Sequence, residues 1–415
     1  MKSLILLCDN YPIGLGEFFL DDEMKIADSI FDKIVFIVPE NQYKIHPRLL
    51  NIKMIVYKWN FKISLKIIIK SIPFLFSLIT FEEIYRNRLK TSLISRIKIV
   101  SMDVFKSTFL NETIKNVVKE EKIVYSDSVF YSYWNDYKAL ALARIAISHK
   151  GVYISRAHAS DIFDFRSSFN FLPYKNFILK NLNMTFSISQ LGKLELQKYV
   201  NVKSRNKISI SRLGKKNHRI PLFEKKNPKI IVCSCSHFNS LKRVHLIPKI
   251  LKKLEITDLH WVHFGWGYPE YEQLVKNELK DAAFSYELKG ITENEEILNY
   301  YSNNYVDFFI NTSEHEGVPV SIMEAFSAGI PAIATNVGAV SEIIDESCGL
   351  LIEKNFEIDE VTQNILKFLN QNEIDRMNFR KSAFAKWKNE FEVNENYLNF
   401  YNEIKSMFPS KVTIQ

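Results

Sequence analysis

The sequence predicts an α/β protein of two doubly wound, parallel-sheet halves facing a central cleft. Three observations predict it. A chain of 415 residues is too long for one hydrophobic core. Short runs rich in Ile and Val alternate with helical stretches in two successive series. A polar, basic segment at 215–229 with Pro221 and Pro228 separates those series. Apolar residues make up 47% and charged residues 25%, which excludes a largely disordered chain.

In the first series, 3–8 (SLILLC) and 33–38 (KIVFIV) are apolar runs around a helical segment at 21–31, a strand–helix–strand unit. Runs at 151–155, 184–188 and 207–210 continue the pattern. The second series places strands at 229–235 (KIIVCSC), 259–264 (LHWVHF), 307–311 (DFFIN) and 331–335 (PAIAT). Continuous apolar strands of this kind belong to a parallel sheet covered on both faces. The stretch 384–407 carries aromatic and apolar residues at helical spacing and is expected to cross back to the first half. The expected domains are 1–225, 226–385 and this terminal helix from 386 to 415.

The net charge is +8, and 51–110 alone holds eleven Lys/Arg against three acidic residues, 11 − 3 = +8. A local basic patch interleaved with Ile, Leu and Phe suits an anionic membrane surface better than nucleic acid. Lys58, Lys62, Lys66 and Lys70 recur every four residues, predicting one basic helical stripe within 58–81, with Ile63, Ile67, Phe74 and Leu75 opposite. The run is interrupted by Lys70 and Pro73 and is shorter than the roughly 20 residues of a span. Alternatively, the lysines only solubilise an exposed helix. The four cysteines form no metal-ligand spacing and no disulfide framework, and the first residues are too short an apolar run for a signal peptide, so a cytoplasmic protein is expected.

The densest chemical signal is 311–336, NTSEHEGVPVSIMEAFSAGIPAIATN. A strand ends, a Gly317-Val318-Pro319 turn follows, and a short helix runs to Gly329 with Pro331 just beyond. The N-terminus of such a helix offers free N–H groups at the carboxyl edge of a parallel sheet, a position suited to a diphosphate. Glu316 in the turn and Glu324 inside the helix could each accept two hydroxyls. Taken alone, Glu316 could equally cap the helix and Glu324 be a solvated helix residue.

These residues carry a resemblance. Glu316-Gly317-x-Pro319-x4-Glu324-Ala325, with Ala328-Gly329-Ile330-Pro331 and Gly338-x3-Glu342-Ile343, resembles the E-x7-E signature of retaining family 4 glycosyltransferases with two Rossmann-like domains, the GT-B fold. Residues 233–246 resemble that family's phosphate-binding strand and loop, 264–267 (FGWG) its glycine turn and 348–351 (CGLL) its closing turn. In the first half, Asn10-Tyr11-Pro12 with Gly14, Gly16 and Glu17 resembles the glycine loop, and Ser155-Arg156-Ala157-His158-x2-Asp161 the histidine motif.

The resemblance implies a transfer from a nucleotide diphosphate sugar to a saccharide acceptor, of the capsule, exopolysaccharide or O-antigen type, lipid-linked at the inner membrane face. Glu324 would hold the ribose hydroxyls and Glu316 those of the donor sugar. Lys242 would neutralise the diphosphate. Gly317, Val318, Pro319 and Gly290 would line the donor, and Gly14 and Gly16 would close over it. His158 would face the reacting centre, with Glu17 and Asp161 on the acceptor side. His237 stands where the family commonly places a diphosphate-gripping arginine, so that Arg243 would take over or the charge would be weaker. No obligatory metal is expected, since no His/Asp cluster suggests one, and no NAD, since Gly14 and Gly16 lack the third glycine of a dinucleotide fingerprint. Two other readings remain at this point. One is a glycoside hydrolase using Glu316 and Glu324 as acid and base; the other is a non-catalytic membrane-surface partner.

Overall fold

The computed structural model describes residues 3–14, 16–17, 19–40, 54–167, 169–217 and 219–408. Lys53 of the basic window, and Leu15 and Phe18 of the glycine loop, lie outside them. The chain forms two compact units: Met1–Gly214 with Val393–Gln415, and Lys215–Glu392.

The first unit holds a seven-stranded sheet of β1 (Ser3–Leu7), β2 (Lys33–Pro39), β3 (Met54–Trp59), β4 (Ser128–Ser132), β5 (Val152–Ala157), β6 (Met184–Ser187) and β7 (Ile208–Ile210). Its order is β3-β2-β1-β4-β5-β6-β7, and its strands pair in parallel. Alternate residues of β1 serve opposite layers. Ile5 and Leu7 pack with Val104 and Ile114 on one side, while Leu4 and Leu6 pack with Met24 and Tyr131 on the other. That two-sided burial is why β1 reads as an unbroken apolar run.

The second unit holds β8 (Ile230–Cys235), β9 (Leu259–Phe264), β10 (Ser285–Leu288), β11 (Phe308–Asn311), β12 (Ala332–Thr335) and β13 (Gly349–Ile352). They run in the order β10-β9-β8-β11-β12-β13, again parallel. In both sheets the winding reverses once, between β1 and β4 and between β8 and β11. Parallel sheets leave a crevice at the carboxyl ends of the strands flanking such a reversal.

Four strands escape the sequence reading. β3, β10 and β13 are edge strands with partly exposed side chains, so their apolar signal is diluted. β4 is central but is bracketed by Ser128 and Ser132. The expected closing turn at 348–351 is instead mostly strand β13, because its backbone pairs with β12 from Ala332 to Thr335.

The chain enters the second unit at Lys215, ahead of the expected boundary at 225/226, and returns to the first unit at Val393. Lys215 bridges Glu392 in parallel, its N–H donates to the Phe391 carbonyl at 2.8 Å, and its carbonyl accepts the Trp387 indole N–H at 3.0 Å. The helix Val393–Ser406 buries Tyr397, Phe400, Tyr401 and Ile404 in the first unit, beside α1 (Leu20–Ile30). Between them lies a fully buried ion pair, Arg156–Glu23 at 3.3 Å, with Arg156 Nε donating to Tyr131 Oη at 2.7 Å.

The expected lysine stripe over 58–81 does not form as one helix. Lys58 lies on β3 and Lys62 in the connection after it, whereas α2 (Leu65–Leu75) and α3 (Leu78–Arg86) carry the rest. Ser64 ends the extended segment by capping α2, its hydroxyl accepting the Ile67 N–H. A long helix follows, α4 (Leu93–Glu120).

Candidate functional site

In the second unit the chemistry gathers where β8 and β11 diverge. After β8, Asn239 Oδ1 accepts the Lys242 N–H at 3.0 Å and so fixes the loop that carries the lysine. Lys242 Nζ donates to Glu316 Oε1 at 2.6 Å. The same oxygen accepts Ser313 Oγ at 2.6 Å and Asn311 Nδ2 at 3.1 Å. Glu316 is buried, yet its second oxygen has no hydrogen bond among the described residues.

Glu324 repeats the arrangement. Its Oε1 accepts Asn294 Nδ2 at 2.6 Å and lies 3.0 Å from Lys215 Nζ, while Oε2 carries no hydrogen bond among the described residues. Each carboxylate is thus oriented through one oxygen by an ammonium and an amide, and its other oxygen remains an acceptor for hydroxyls. Between the two glutamates the helix Val320–Ser327 begins at Pro319, with no side chain capping it. Its first turn supplies partial positive charge and donor N–H groups. Gly317 and Val318 lead into that end, and the Gly317 carbonyl accepts the Ala339 N–H at 3.2 Å.

Glycines shape the surrounding backbone. At Gly338 (φ +59°) a Cβ would fall 1.9 Å from the Glu316 carbonyl oxygen, so this turn supports Glu316 from behind. Gly265 (φ +146°) lets the loop after β9 press on Ser236, which is what the expected glycine turn does here. Gly290 (φ +67°) has nothing within 4 Å of the place a Cβ would take.

The two other expected phosphate contacts are placed differently. Arg243 is turned back into the protein, its Nε on the Thr312 carbonyl at 2.8 Å and its Nη2 on the Ser313 carbonyl at 3.3 Å. It anchors the exit of β11. His237 is exposed, its Nδ1 3.1 Å from the Trp266 carbonyl. The cation missed from the sequence is Lys215, because a lone lysine in a basic connecting segment carries no periodic signal; Asn294 and Asn311 were missed likewise.

In the first unit, the Glu17 carboxylate is taken up by nearby N–H groups. It accepts the N–H groups of Asp9, Asn10 and Tyr11 at 3.0, 2.7 and 2.8 Å and the Trp134 indole N–H at 2.5 Å. It therefore ties the loop after β1 to the turn after β4. Gly14 and Gly16 (φ +120°) fold around Asn10 in that loop.

His158 follows β5, within 4.6 Å of the Trp134 ring and 4.9 Å of the Tyr133 ring, centroid to centroid. Burial, reinforced by the nearby Arg156 charge, pushes its pKa down to about 3, so the ring is neutral. One nitrogen bonds the Tyr133 carbonyl, and Nε2 has no partner among the described residues. A neutral imidazole with an unused Nε2 can accept a hydroxyl proton. Asp161 positions this turn: Oδ1 accepts the His158 N–H and Oδ2 the Asn135 N–H, both at 2.6 Å. Burial raises Asp161 to about 6, against the Lys175 charge.

Asp161 also lines a cavity of about 350 Å³ with Asp9, Asp103, Trp134, Asn135, Asp136 and Lys175 among its walls. Lys138 bridges Asp9 at 2.9 Å and Asp136 at 2.6 Å. Lys175 donates to the Asn135 side chain at 2.7 Å. Asp103 is pushed up to about 7 by burial and by Asp136. Such a wall of mixed donors and acceptors suits a polyhydroxylated ligand.

Residues 215–386 match the family model described as glycosyl transferases group 1. The chain is 32% identical over 163 residues to the O-antigen biosynthesis glycosyltransferase WbnH of Escherichia coli, covering 39% of this chain and 43% of that protein. The match thus spans less than half of the relative's length. Among solved structures, a sucrose-phosphate synthase from Thermosynechococcus elongatus has a TM-score of 0.69 at 13% identity, covering 98% of this chain and 99% of the other. Anabaena HepE, solved with UDP, has a TM-score of 0.63 at 14% identity, covering 98% and 100%. Residues 215–386 are thus similar to the group 1 glycosyl transferases, in a chain whose two α/β units have the GT-B fold.

Proposed function

We propose that this protein transfers a sugar, with retention of configuration, from a nucleoside diphosphate donor to a saccharide acceptor in surface-polysaccharide assembly of the O-antigen kind. The observation that carries the reading is the pair Glu316 and Glu324. Each is held by a lysine through one oxygen, with an uncapped helix end between them at the strand reversal. Glu324 takes ribose hydroxyls, Glu316 takes donor-sugar hydroxyls, and Lys242 with the helix end takes the diphosphate. Anabaena HepE and the E. coli O-antigen relative support a UDP-type donor and a saccharide product. A lipid-linked acceptor fits the basic, apolar character of the first unit, whose cavity beside Asp161 receives the acceptor saccharide.

In the transfer, the bond from the sugar's anomeric carbon to the phosphate oxygen breaks as the acceptor oxygen bonds the same face. The acceptor's proton passes to the departing phosphate. Lys242 and the helix N-terminus stabilise the charge gained by the leaving group, so no protein nucleophile is required. His158 Nε2 accepts a substrate hydroxyl and fixes its orientation. Hydrolysis is the weaker reading, because a hydrolase's two carboxyls flank the scissile bond, whereas Glu316 and Glu324 share one turn and helix beside an uncapped helix end.

The test is a thermal-stabilisation screen of UDP-, GDP-, ADP- and dTDP-sugars, followed by transfer kinetics with the stabilising donor. Glu324→Ala is expected to raise the donor KM roughly 10- to 100-fold, the weight of one or two charge-assisted hydrogen bonds. Lys242→Ala is expected chiefly to lower kcat. Donor kinetics unchanged in both variants would refute these roles.

A further inference from the structure

We infer that α2, α3 and the start of α4 form a face that docks on an anionic phospholipid surface. On α2 and its end, Leu65, Ile69, Ile72 and Phe76 recur at four, three and four residues, which places them on one side of a helix. They are 72%, 57%, 45% and 72% exposed, while Ile67 is buried and Phe74 and Leu75 pack on the core. The same division recurs on α3, where Leu78, Phe81 and Tyr85 point outward and Thr80 and Glu83 inward. Leu89, Leu93, Ile94 and Ile97 continue the outward series, Leu89 and Ile94 being more than four-fifths exposed. α4 packs against both α2 and α3, which brings these rows together. An apolar surface of this extent on a folded protein marks a contact with something else.

Charge selects the occupant. Between 61 and 100 the chain has Lys62, Lys66, Lys70, Arg86, Arg88, Lys90, Arg96 and Lys98 against only Glu82 and Glu83. Glu83 is buried, its carboxylate accepting the Asn87 side-chain N–H, so it does not lie on the outward face. Lys70 and Lys90 pair with Glu112 and Asp164, but Lys62, Lys66, Arg86, Arg88 and Lys98 stand exposed. Arg96, in the first turn of α4, is buried with Nε and Nη1 unpartnered among the described residues and adds uncompensated positive charge beneath the face. A second copy of the chain would set cation against cation, whereas an anionic bilayer receives both the apolar rows and the basic rim. No described helix is long and apolar enough to cross a membrane, so the face lies on the lipid surface. This docking is independent of the donor reading, and its test uses no nucleotide sugar.

The experiment is co-sedimentation of the full chain with phosphatidylcholine vesicles made with and without phosphatidylglycerol. The wild type is expected to pellet with the anionic vesicles, to be released by salt, and to stay in solution with phosphatidylcholine alone. The variant L65S/I69S/F76S is expected to lose that binding while keeping the wild-type melting temperature, since all three side chains are exposed. The variant K62Q/K66Q/R88Q is expected to weaken binding about fivefold per charge removed. Equal recovery of wild type and both variants on anionic vesicles would overturn the inference. So would a wild-type dimer, in sedimentation velocity, that L65S/I69S/F76S converts to monomer without any vesicle binding by the wild type.

Discussion

Gly338→Ala tests whether the geometry behind Glu316 matters to function. The added methyl would sit 1.9 Å from the Glu316 carbonyl oxygen, and real contacts of this kind do not fall under 3.0 Å, so backbone must move by at least 1.1 Å. If that shift draws Glu316 directly away from Lys242, their 2.6 Å contact lengthens to 3.7 Å and the hydrogen bond is lost. A misplacement of about 1 Å in a positioning group costs about 100-fold in rate. Left-handed backbone at a non-glycine residue adds about 1–2 kcal/mol of destabilisation. The assay is kcat/KM for the donor that stabilises the wild type, alongside thermal melting. Gly290→Ala gauges the backbone share of the melting loss, because Gly290 has a similar φ of +67° and nothing for the methyl to strike. A cooperatively folded Gly338→Ala protein with kcat/KM within about twofold of wild type would refute the argument, since that is far short of the loss expected from a 1 Å shift.

Two further outcomes are expected. Arg243→Ala removes hydrogen bonds to the Thr312 and Ser313 carbonyls and should lower stability by about 2 kcal/mol, discounted for partial exposure, with little change in donor affinity. A more than tenfold loss of donor affinity in titration calorimetry, without a lower melting temperature, would return Arg243 to the phosphate site. The buried His263 gives the second unit an acid limit. Ser234 Oγ accepts the Trp261 indole N–H, so its own proton goes to His263 Nδ1, and Nε2 lies 3.1 Å from the Ser236 carbonyl. Burial lowers its pKa to about 3, well below the unfolded value, so the unfolded chain binds the extra proton first and stability falls as pH drops from about 6.5 toward 3. At pH 5 this amounts to about 2 kcal/mol, and His263→Gln should flatten that part of a melting-temperature profile. An unchanged acid slope in the variant would assign the loss elsewhere.

Much of this architecture is legible in the chain, for a physical reason. β1, β2, β8 and β9 are covered on both faces and spell themselves as apolar runs, and the helix Val320–Ser327 is bracketed by Pro319 and Gly329. The close approach of Glu316 and Lys242, far apart in sequence, is not spelled by any local pattern; only the resemblance points to it. Lys215, in the connecting segment, and Asn294, the first residue of the helix Asn294–Asn303, reach Glu324 only through the tertiary fold, and neither has a neighbour-dependent signature. Glu17 and Arg243 show the converse: their chemistry suggests ligand contacts, but backbone groups nearby claim them first, Glu17 by three N–H donors and Arg243 by two carbonyls. The lysine repeat from 58 to 70 misled because spacing carries no helical meaning where the backbone is extended, as at Lys58.

The first unit is discontinuous along the chain, and that orders its assembly on the ribosome. Glu23 and Arg156 emerge before the second unit, but Tyr401, which lies 3.4 Å from Glu23, and Phe400, which covers the Arg156 guanidinium at 4.5 Å, are made only after it. Until they arrive, a charged pair meant for a dry interior stays wet on an unfinished lobe, while the continuous segment Lys215–Glu392 can complete its own core first. Synthesis that stops short of Val393 would leave a finished second lobe tethered to an open first one, a natural target for proteases that survey nascent proteins.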